Sequence, residues 1–141
     1  MIHVEVANQQ TLLPVDTERL IRVARAIVAE FGPDSAELSL TIVDDATIHE
    51  LNRQYLQHDY PTDVLSFPLE QDEQHLEGEV IVSAETAQRV AAEYDWSADE
   101  ELLLYIVHGM LHLVGFDDHE EADRAAMREQ EERFIKQFAA N

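Results

Sequence analysis

The chain is arranged around one segment, Ser97 to Glu120, which reads SADEELLLYIVHGMLHLVGFDDHE. Its apolar middle predicts a buried helix, and Ser97 followed three residues later by Glu100 is a capping box that starts such a helix. His108 and His112 lie four residues apart, so a helix places both imidazoles on one face. This spacing is typical of two metal ligands that a single rigid element holds.

Further candidate ligands follow the predicted end of this helix. Gly115 comes three residues after the second histidine, and a glycine there can end the helix in the left-handed conformation and turn the chain back. Asp118 and His119 then both remain candidates for a third ligand. Two rigid ligands, one loop ligand and one open position are typical of a catalytic zinc-type site. The alternative is a pair of core histidines that bond to backbone carbonyls.

The residue between the two histidines argues against peptidase chemistry. His-x3-His-x2-Gly is shared with the metzincin peptidases, which carry a glutamate directly after the first histidine as general base. Here that position is Gly109, which cannot accept a proton. We expect Gly109 instead to clear space above the metal for a substrate or for a neighbouring segment.

Composition limits the class of protein. The 141 residues predict a single domain, 1–141. With no cysteine, a metal site must use histidine or carboxylate ligands, and the absence fits a reducing cytoplasm. The formal net charge of −21 repels nucleic acid and anionic membranes at long range, and we expect neither DNA nor a membrane as a partner. The N-terminus has no signal-peptide pattern, and the apolar runs are too short to span a bilayer. We therefore predict a cytoplasmic protein without a membrane partner.

Hydrophobic periodicity and turn residues predict an α+β layer of four short strands and about five helices. The expected strands are 2–7, 37–43, 64–69 and 78–83, and the expected helices are 16–31, 46–56, 84–94, 97–114 and 120–139. Segment 71–77 is expected to be a mobile hairpin loop. Leu56 and Tyr55 are expected to face inward from the second helix.

One basic concentration lies outside the last helix. Arg19, Arg22 and Arg25 recur every three residues beside the apolar stripe of the first helix. They form either a solvated helix face, which is the commoner case, or a ridge that binds phosphates.

Three segments together resemble a known family. HGMLHLVGFDDH is similar to the signature of the YbeY endoribonucleases, usually written H-G-x-L-H-L-x-G-Y-D-H. LNRQYLQHDYPTDVLSFP at 51–68 and GEVIVSAETA at 78–87 resemble two further signatures of that family. Their order and spacing fit across nearly the whole chain.

This resemblance implies a metzincin-like α+β fold, in which about five helices pack on a small four-stranded mixed sheet and a central helix carries the metal site. It also implies one bound Zn²⁺, or another divalent ion. The implied activity is that of a metal-dependent, single-strand-specific endoribonuclease. Such an enzyme acts at the 3′ end of small-subunit 16S rRNA and in ribosome quality control, with ribosomal RNA and the small subunit as partners.

The resemblance also suggests roles for individual residues. The family's third histidine aligns in register with Asp118, whereas the family's ligand type favours His119, and we slightly prefer the set His108, His112 and His119. Asp117 is then a candidate for orienting the attacking water, with the capping of the last helix as the alternative. The arginines of the first helix become candidate RNA contacts.

One departure from the family supports a different function. An arginine that is thought to serve catalysis usually follows the tyrosine of the middle signature, and here that position is Leu56. The alternative is a non-catalytic ribosome assembly factor that a metal stabilises. A metallopeptidase-like zinc hydrolase is a weaker alternative, because Gly109 supplies no base.

Overall fold

The computed structural model describes residues 1–57 and 62–139, and within these ranges the chain forms four strands and five helices. The strands are β1 (Ile2–Asn8), β2 (Ser35–Val43), β3 (Val64–Gln71) and β4 (His75–Ser83). The helices are α1 (Thr17–Phe31), α2 (Asp45–Leu56), α3 (Ala84–Tyr94), α4 (Ala98–Leu113) and α5 (Glu121–Gln137). The predicted α+β class is confirmed. Across the described ranges we find no helix with the length and apolar character that a membrane span requires.

The sheet is mixed, with the order β1-β2-β4-β3. β1, β2 and β4 are parallel, and β3 pairs antiparallel with β4 at the edge. The register of β3 shifts between Pro68 and Glu70, because a proline has no N–H for the ladder and is tolerated on an edge strand or at a bulge. The prediction of an edge or a bulge at Pro68 is therefore confirmed.

Helices cover the two faces of the sheet unequally. The larger core joins α1, α4 and α5 to the inward side chains of β1, β2 and β4. A smaller cluster on the opposite face joins Ile48 of α2 to Val43, Leu65 and Ile81. α4 is the central helix, since most of its residues are buried, which matches its continuous apolar run.

Local interactions define the two ends of α4. Ser97 Oγ accepts the N–H of Glu100, 3.1 Å away, which satisfies one unpaired donor of the first turn. The Glu100 carboxylate does not complete a capping box; it accepts a 2.7 Å bond from Arg19 of α1. At the other end Gly115 has φ +107°, a conformation that side chains with a Cβ rarely adopt. The predicted turn after α4 is therefore present.

Two local predictions need correction. A hairpin does join β3 to β4 within segment 71–77, but its loop is shorter than predicted, since β3 continues to Gln71, β4 starts at His75, and Asp72 accepts the N–H groups of Gln74 and His75. Tyr55 and Leu56 do not face inward and are 61% and 44% exposed. They lie in the last turn of α2, which ends where Gln57 takes a left-handed conformation.

Gly109 allows α4 to approach the sheet closely. A Cβ at this position would lie 2.6 Å from Val80 Cγ1 and 3.2 Å from Val64 Cγ2. We expect Gly109→Ala to lower the free energy of unfolding by about 1–2 kcal/mol, because overpacking costs roughly 1–3 kcal/mol and the better helix propensity returns at most about 1. Urea unfolding measures the change. The same substitution made in a Val80→Ala background should cost less, and an unchanged cost would contradict this packing.

Candidate metal centre

Three side chains converge at the C-terminal end of α4. The Nε2 atoms of His108 and His112 lie 3.1 Å apart. Asp118 Oδ2, from the loop after Gly115, lies 3.7 Å from the first Nε2 atom and 3.6 Å from the second. One ligand atom from each residue thus falls within 4.8 Å of the others. All three residues are partly buried.

The spacing of these atoms fits a zinc-type ion. Tetrahedral ligands at about 2.0–2.2 Å from an ion stand roughly 3.3–3.6 Å from one another, close to the three separations observed here. Two imidazole nitrogens and one carboxylate oxygen also form a donor set that zinc accepts, and three protein ligands leave a position open. These residues could therefore hold one divalent ion.

Glu131 of α5 fixes the first histidine. Its Oε2 lies 2.8 Å from His108 Nδ1, and because a carboxylate only accepts, this nitrogen carries the proton. In the neutral ring Nε2 then presents its lone pair to the site. Burial alone would lower the pKa of His108, but the hydrogen bond and charge of Glu131, with the charge of Asp118, outweigh it and raise that pKa. The side chain of Glu131 is only 16% exposed.

The structure brings Asp118, rather than the preferred His119, to the two helix histidines. The side chain of His119 is 83% exposed, and its Nε2 lies 3.4 Å from Asp117 Oδ1. Asp118 is therefore the loop residue that lies beside the helix histidines, and the identity of the third ligand stays a prediction. The reason is that a helix-ending glycine fixes the loop, and Asp117 Oδ1 accepts the N–H of Asp118 at 2.7 Å. A shift of one position would break that bond.

Asp117 does not cap α5, since that helix has Glu120 at its N-cap position and no side-chain capping bond. Asp117, Asp118 and His119 instead form a second, partly overlapping group of close ligand atoms. Asp117 and His119 thus lie beside the metal-candidate triad and remain available for a role with water.

Substitutions of the two adjacent loop residues are expected to have different effects on metal binding. Asp118→Ala is expected to weaken zinc binding by more than about 100-fold, because it removes a direct ligand and even an outer partner is worth about 10- to 100-fold. His119→Ala should leave the affinity within about twofold. Competition with a chromophoric chelator gives both dissociation constants. A larger loss in the histidine variant would restore His119 as the third ligand.

An open cleft borders the triad. It encloses about 450 Å³ between α4 and β3, with His108, Gly109 and His112 on one wall and Asp63, Val64 and Ser66 among the residues opposite. Ser66 Oγ donates a 3.0 Å bond to the Gly109 carbonyl oxygen, so it ties the edge strand to the helix of the candidate ligands. The middle of the second signature, residues 58–61, lies outside the described residues.

Leu56 also lines this cleft. The residue in the family's arginine position therefore faces the candidate site. Its side chain is apolar, so it supplies no charge there.

The three arginines of α1 do not form one exposed ridge. Arg19 is only 7% exposed, and its guanidinium is paired with Glu100 at 2.7 Å. A phosphate would have to compete with Glu100 for this guanidinium, and the assignment of Arg19 as an RNA contact stays a prediction. Arg22 and Arg25 are exposed, and within the described part of the chain neither forms a hydrogen bond or an ion pair.

The sequence analysis missed Glu131, although the sequence carried a signal for it. Met127 and Phe134 are buried on the inner face of α5, and Glu131 lies four residues after the first and three before the second. A carboxylate on a buried helical stripe needs a partner. Its partner, His108, follows only from how α5 packs on α4.

These features define an α+β protein with a candidate metal site: a central helix with two histidines, a loop carboxylate behind a glycine and an adjacent cleft. Within that class, the family model described as "Endoribonuclease YbeY" matches residues 5–139, and the chain belongs to this family. Curated relatives named Endoribonuclease YbeY are 52% identical over 114 residues in Rhodopirellula baltica and 42% identical over 144 residues in Syntrophotalea carbinolica. These alignments cover 79% and 99% of this chain, and 59% and 94% of the relatives.

A solved structure supports the fold. The solution structure of TM1509 from Thermotoga maritima matches with a TM-score of 0.65 at 26% identity. The match covers 98% of this chain and 89% of the other. The family predicted from the three sequence segments is confirmed by the family model and the curated relatives.

Proposed function

We propose that this protein is a metal-dependent, single-strand-specific endoribonuclease that acts in the cytoplasm on the 3′ end of small-subunit 16S rRNA and in ribosome quality control. The observation that carries this proposal is the triad of His108, His112 and Asp118 beside an open cleft, in a chain that belongs to the YbeY family. Zn²⁺ is the ion that we propose for the triad.

The residues around the triad suggest how the reaction is supported. His108, His112 and Asp118 would hold a divalent ion, which when bound would supply Lewis-acid chemistry toward a phosphodiester oxygen and a water. His108 and His112 hold two ligand atoms on one rigid helix, and Asp118 supplies the third from the loop. We propose Asp117, whose Oδ1 lies 3.4 Å from His119 Nε2, as the group that accepts the proton of the attacking water.

RNA must approach a chain whose net charge is −21. We propose Arg22 and Arg25 as phosphate contacts, since both are exposed cations without a partner in the described ranges. Each such contact contributes a counterion-release term, so binding should weaken as salt concentration rises. Arg19 has no part in this proposal because Glu100 occupies it.

The decisive experiment incubates the zinc-loaded protein with an unstructured RNA and with the same sequence as duplex. Cleavage of the single strand, its loss with a chelator and its return with added zinc would support the proposal. A second substrate, small-subunit particles with an unprocessed 3′ end, tests the ribosomal role. Single-strand cleavage without any effect on those particles would support the nuclease activity and contradict the proposed role in rRNA processing.

Leu56 favours a second candidate function, a metal-stabilised assembly factor without cleavage. This apolar side chain lies in the cleft, where a guanidinium would stabilise the charge of a phosphoryl transition state. If the wild-type chain binds RNA without cutting it, and Leu56→Arg cuts it, the assembly factor is the correct function. Robust cutting by the wild type would exclude it.

A further inference from the structure

A second recess lies next to the metal-candidate triad, between α4 and α5. It encloses about 440 Å³, and its apolar side chains are Trp96, Leu104 and Ile135. Arg128 and Lys136 line the same recess. We call this recess the α4–α5 groove.

The groove is continuous with the triad through two residues. Leu104 precedes His108 by four residues on α4, so the two side chains share one helix face about one turn, or roughly 5.4 Å, apart. Glu131, which bonds to His108 Nδ1, also lines the groove. A strand whose phosphate reached the triad would therefore have the groove beside its next nucleotide.

The side chains of the groove suit a nucleotide. The Trp96 ring is 37% exposed, and its indole N–H donates a 2.9 Å bond to Glu101, so the ring is held as a fixed aromatic surface. Bases stack on such surfaces without strong sequence preference. Leu104 and Ile135 are partly buried and extend the apolar floor.

The cations of the groove have no partner among the described residues. Arg128 and Lys136 are exposed, and within residues 1–57 and 62–139 neither forms a hydrogen bond or an ion pair. The chain has 30 acidic and only 9 basic residues, and two of its unpaired cations lie together in this groove. Glu132 also lines the groove, and its carboxylate repels a phosphate. A phosphate is therefore attracted to the two cations rather than to the groove as a whole.

We propose that the α4–α5 groove is a subsite for one nucleotide of single-stranded RNA, adjacent to the bond that is cut. The base stacks against Trp96 and the apolar floor, and Arg128 and Lys136 contact the flanking phosphates. The proposal rests on the proposed function, since it places the groove next to the reacting phosphate. It adds a binding site that the triad and the cleft do not contain.

Trp96 makes the test specific, because it is the only tryptophan of the chain. The zinc-loaded protein is mixed rapidly with a short oligoadenylate, and tryptophan emission is read before cleavage. Anisotropy of a labelled oligoadenylate reports total RNA binding in parallel. We expect saturable quenching of Trp96 with the same midpoint as the anisotropy change.

Variants then separate the contacts. Arg128→Ala and Lys136→Ala should each reduce the slope of log affinity against log salt by about 0.7. Trp96→Leu should weaken binding by about tenfold through lost stacking. Arg133→Ala is the matched control, since it removes one cation from the same helix where Arg133 pairs with Glu30; it should leave the slope unchanged.

The outcomes distinguish this subsite from the proposed function. RNA binding and cleavage without any change in Trp96 emission, and with unchanged slopes in Arg128→Ala and Lys136→Ala, would overturn the subsite alone. A failure of the wild type to bind the labelled RNA would overturn both proposals. Quenching by an apolar amphipathic peptide but not by the oligoadenylate would assign the groove to a protein partner and overturn the subsite.

Discussion

His112→Ala is expected to abolish RNA cleavage and to weaken zinc binding by more than about 100-fold. His112 Nε2 lies 3.1 Å from His108 Nε2 and 3.6 Å from Asp118 Oδ2, so its loss removes one of three ligands and leaves two that cannot close a tetrahedral site. Outer partners of metal ligands are worth about 10- to 100-fold, and a direct ligand should exceed that. His108→Ala should give the same result.

Metal binding and cleavage are measured separately for these variants. Zinc affinity comes from chelator competition, cleavage from gel analysis of a single-stranded RNA, and folding from circular dichroism. His3→Ala is the control, because this histidine is exposed on β1 and bonds only to Glu5 among the described residues. A folded His112→Ala variant that kept full cleavage would remove the triad from the mechanism.

Glu131→Gln is expected to lower zinc affinity by about 10- to 100-fold without unfolding the protein. Glutamine can still accept the bond from His108 Nδ1, but it lacks the negative charge that makes the imidazole a stronger ligand. The neighbouring Glu129→Gln removes one exposed charge from the same helix and should leave the affinity unchanged. Equal losses in both variants would indicate a general effect of charge and contradict the orienting role.

The raised pKa of His108 predicts that the His108–Glu131 pair makes the stability of the metal-free protein depend on pH. A group whose pKa is higher in the folded than in the unfolded state stabilises the fold fully below its unfolded pKa, and this stabilisation is lost as pH rises through the folded pKa. Burial lowers the pKa of His108, but Glu131 and Asp118 raise it more. Glu131→Gln should therefore lower the free energy of unfolding most below the ordinary histidine pKa. Urea unfolding from acid to neutral pH measures this difference.

The sequence predicted the histidine pair well and the side chains around it poorly. The spacing of His108 and His112 needs only a helix, and the capping serine and apolar run made that helix predictable. The choice between Asp118 and His119 depends on the backbone angles of the loop. The sequence alone does not show these angles, so it cannot separate two adjacent residues. In the structure Gly115, with φ +107°, and the bond from the Asp118 N–H to Asp117 bring Asp118 to the helix histidines.

The arginines of α1 show a second limit of what can be predicted from the sequence. A spacing of three residues advances about 300° around a helix, so Arg19 and Arg25 point about 120° apart. Arg19 therefore falls beside the buried stripe, where Glu100 meets it, while Arg25 faces solvent. Partners that lie far apart in the chain, such as Arg19 with Glu100 or His108 with Glu131, depend on how the helices pack and were not predictable from local pattern.

The bond between His108 and Glu131 also links metal binding at the site to the stability of the C-terminal helix, α5. α5 has only Met127 and Phe134 as buried residues, so its attachment depends on few contacts. An ion at the triad would bind α4 and the loop that precedes α5, and Glu131 would continue that linkage into α5 itself. Demetallation should then expose the last helix to proteases before the sheet is attacked, so the C-terminus would report the metal status of the protein.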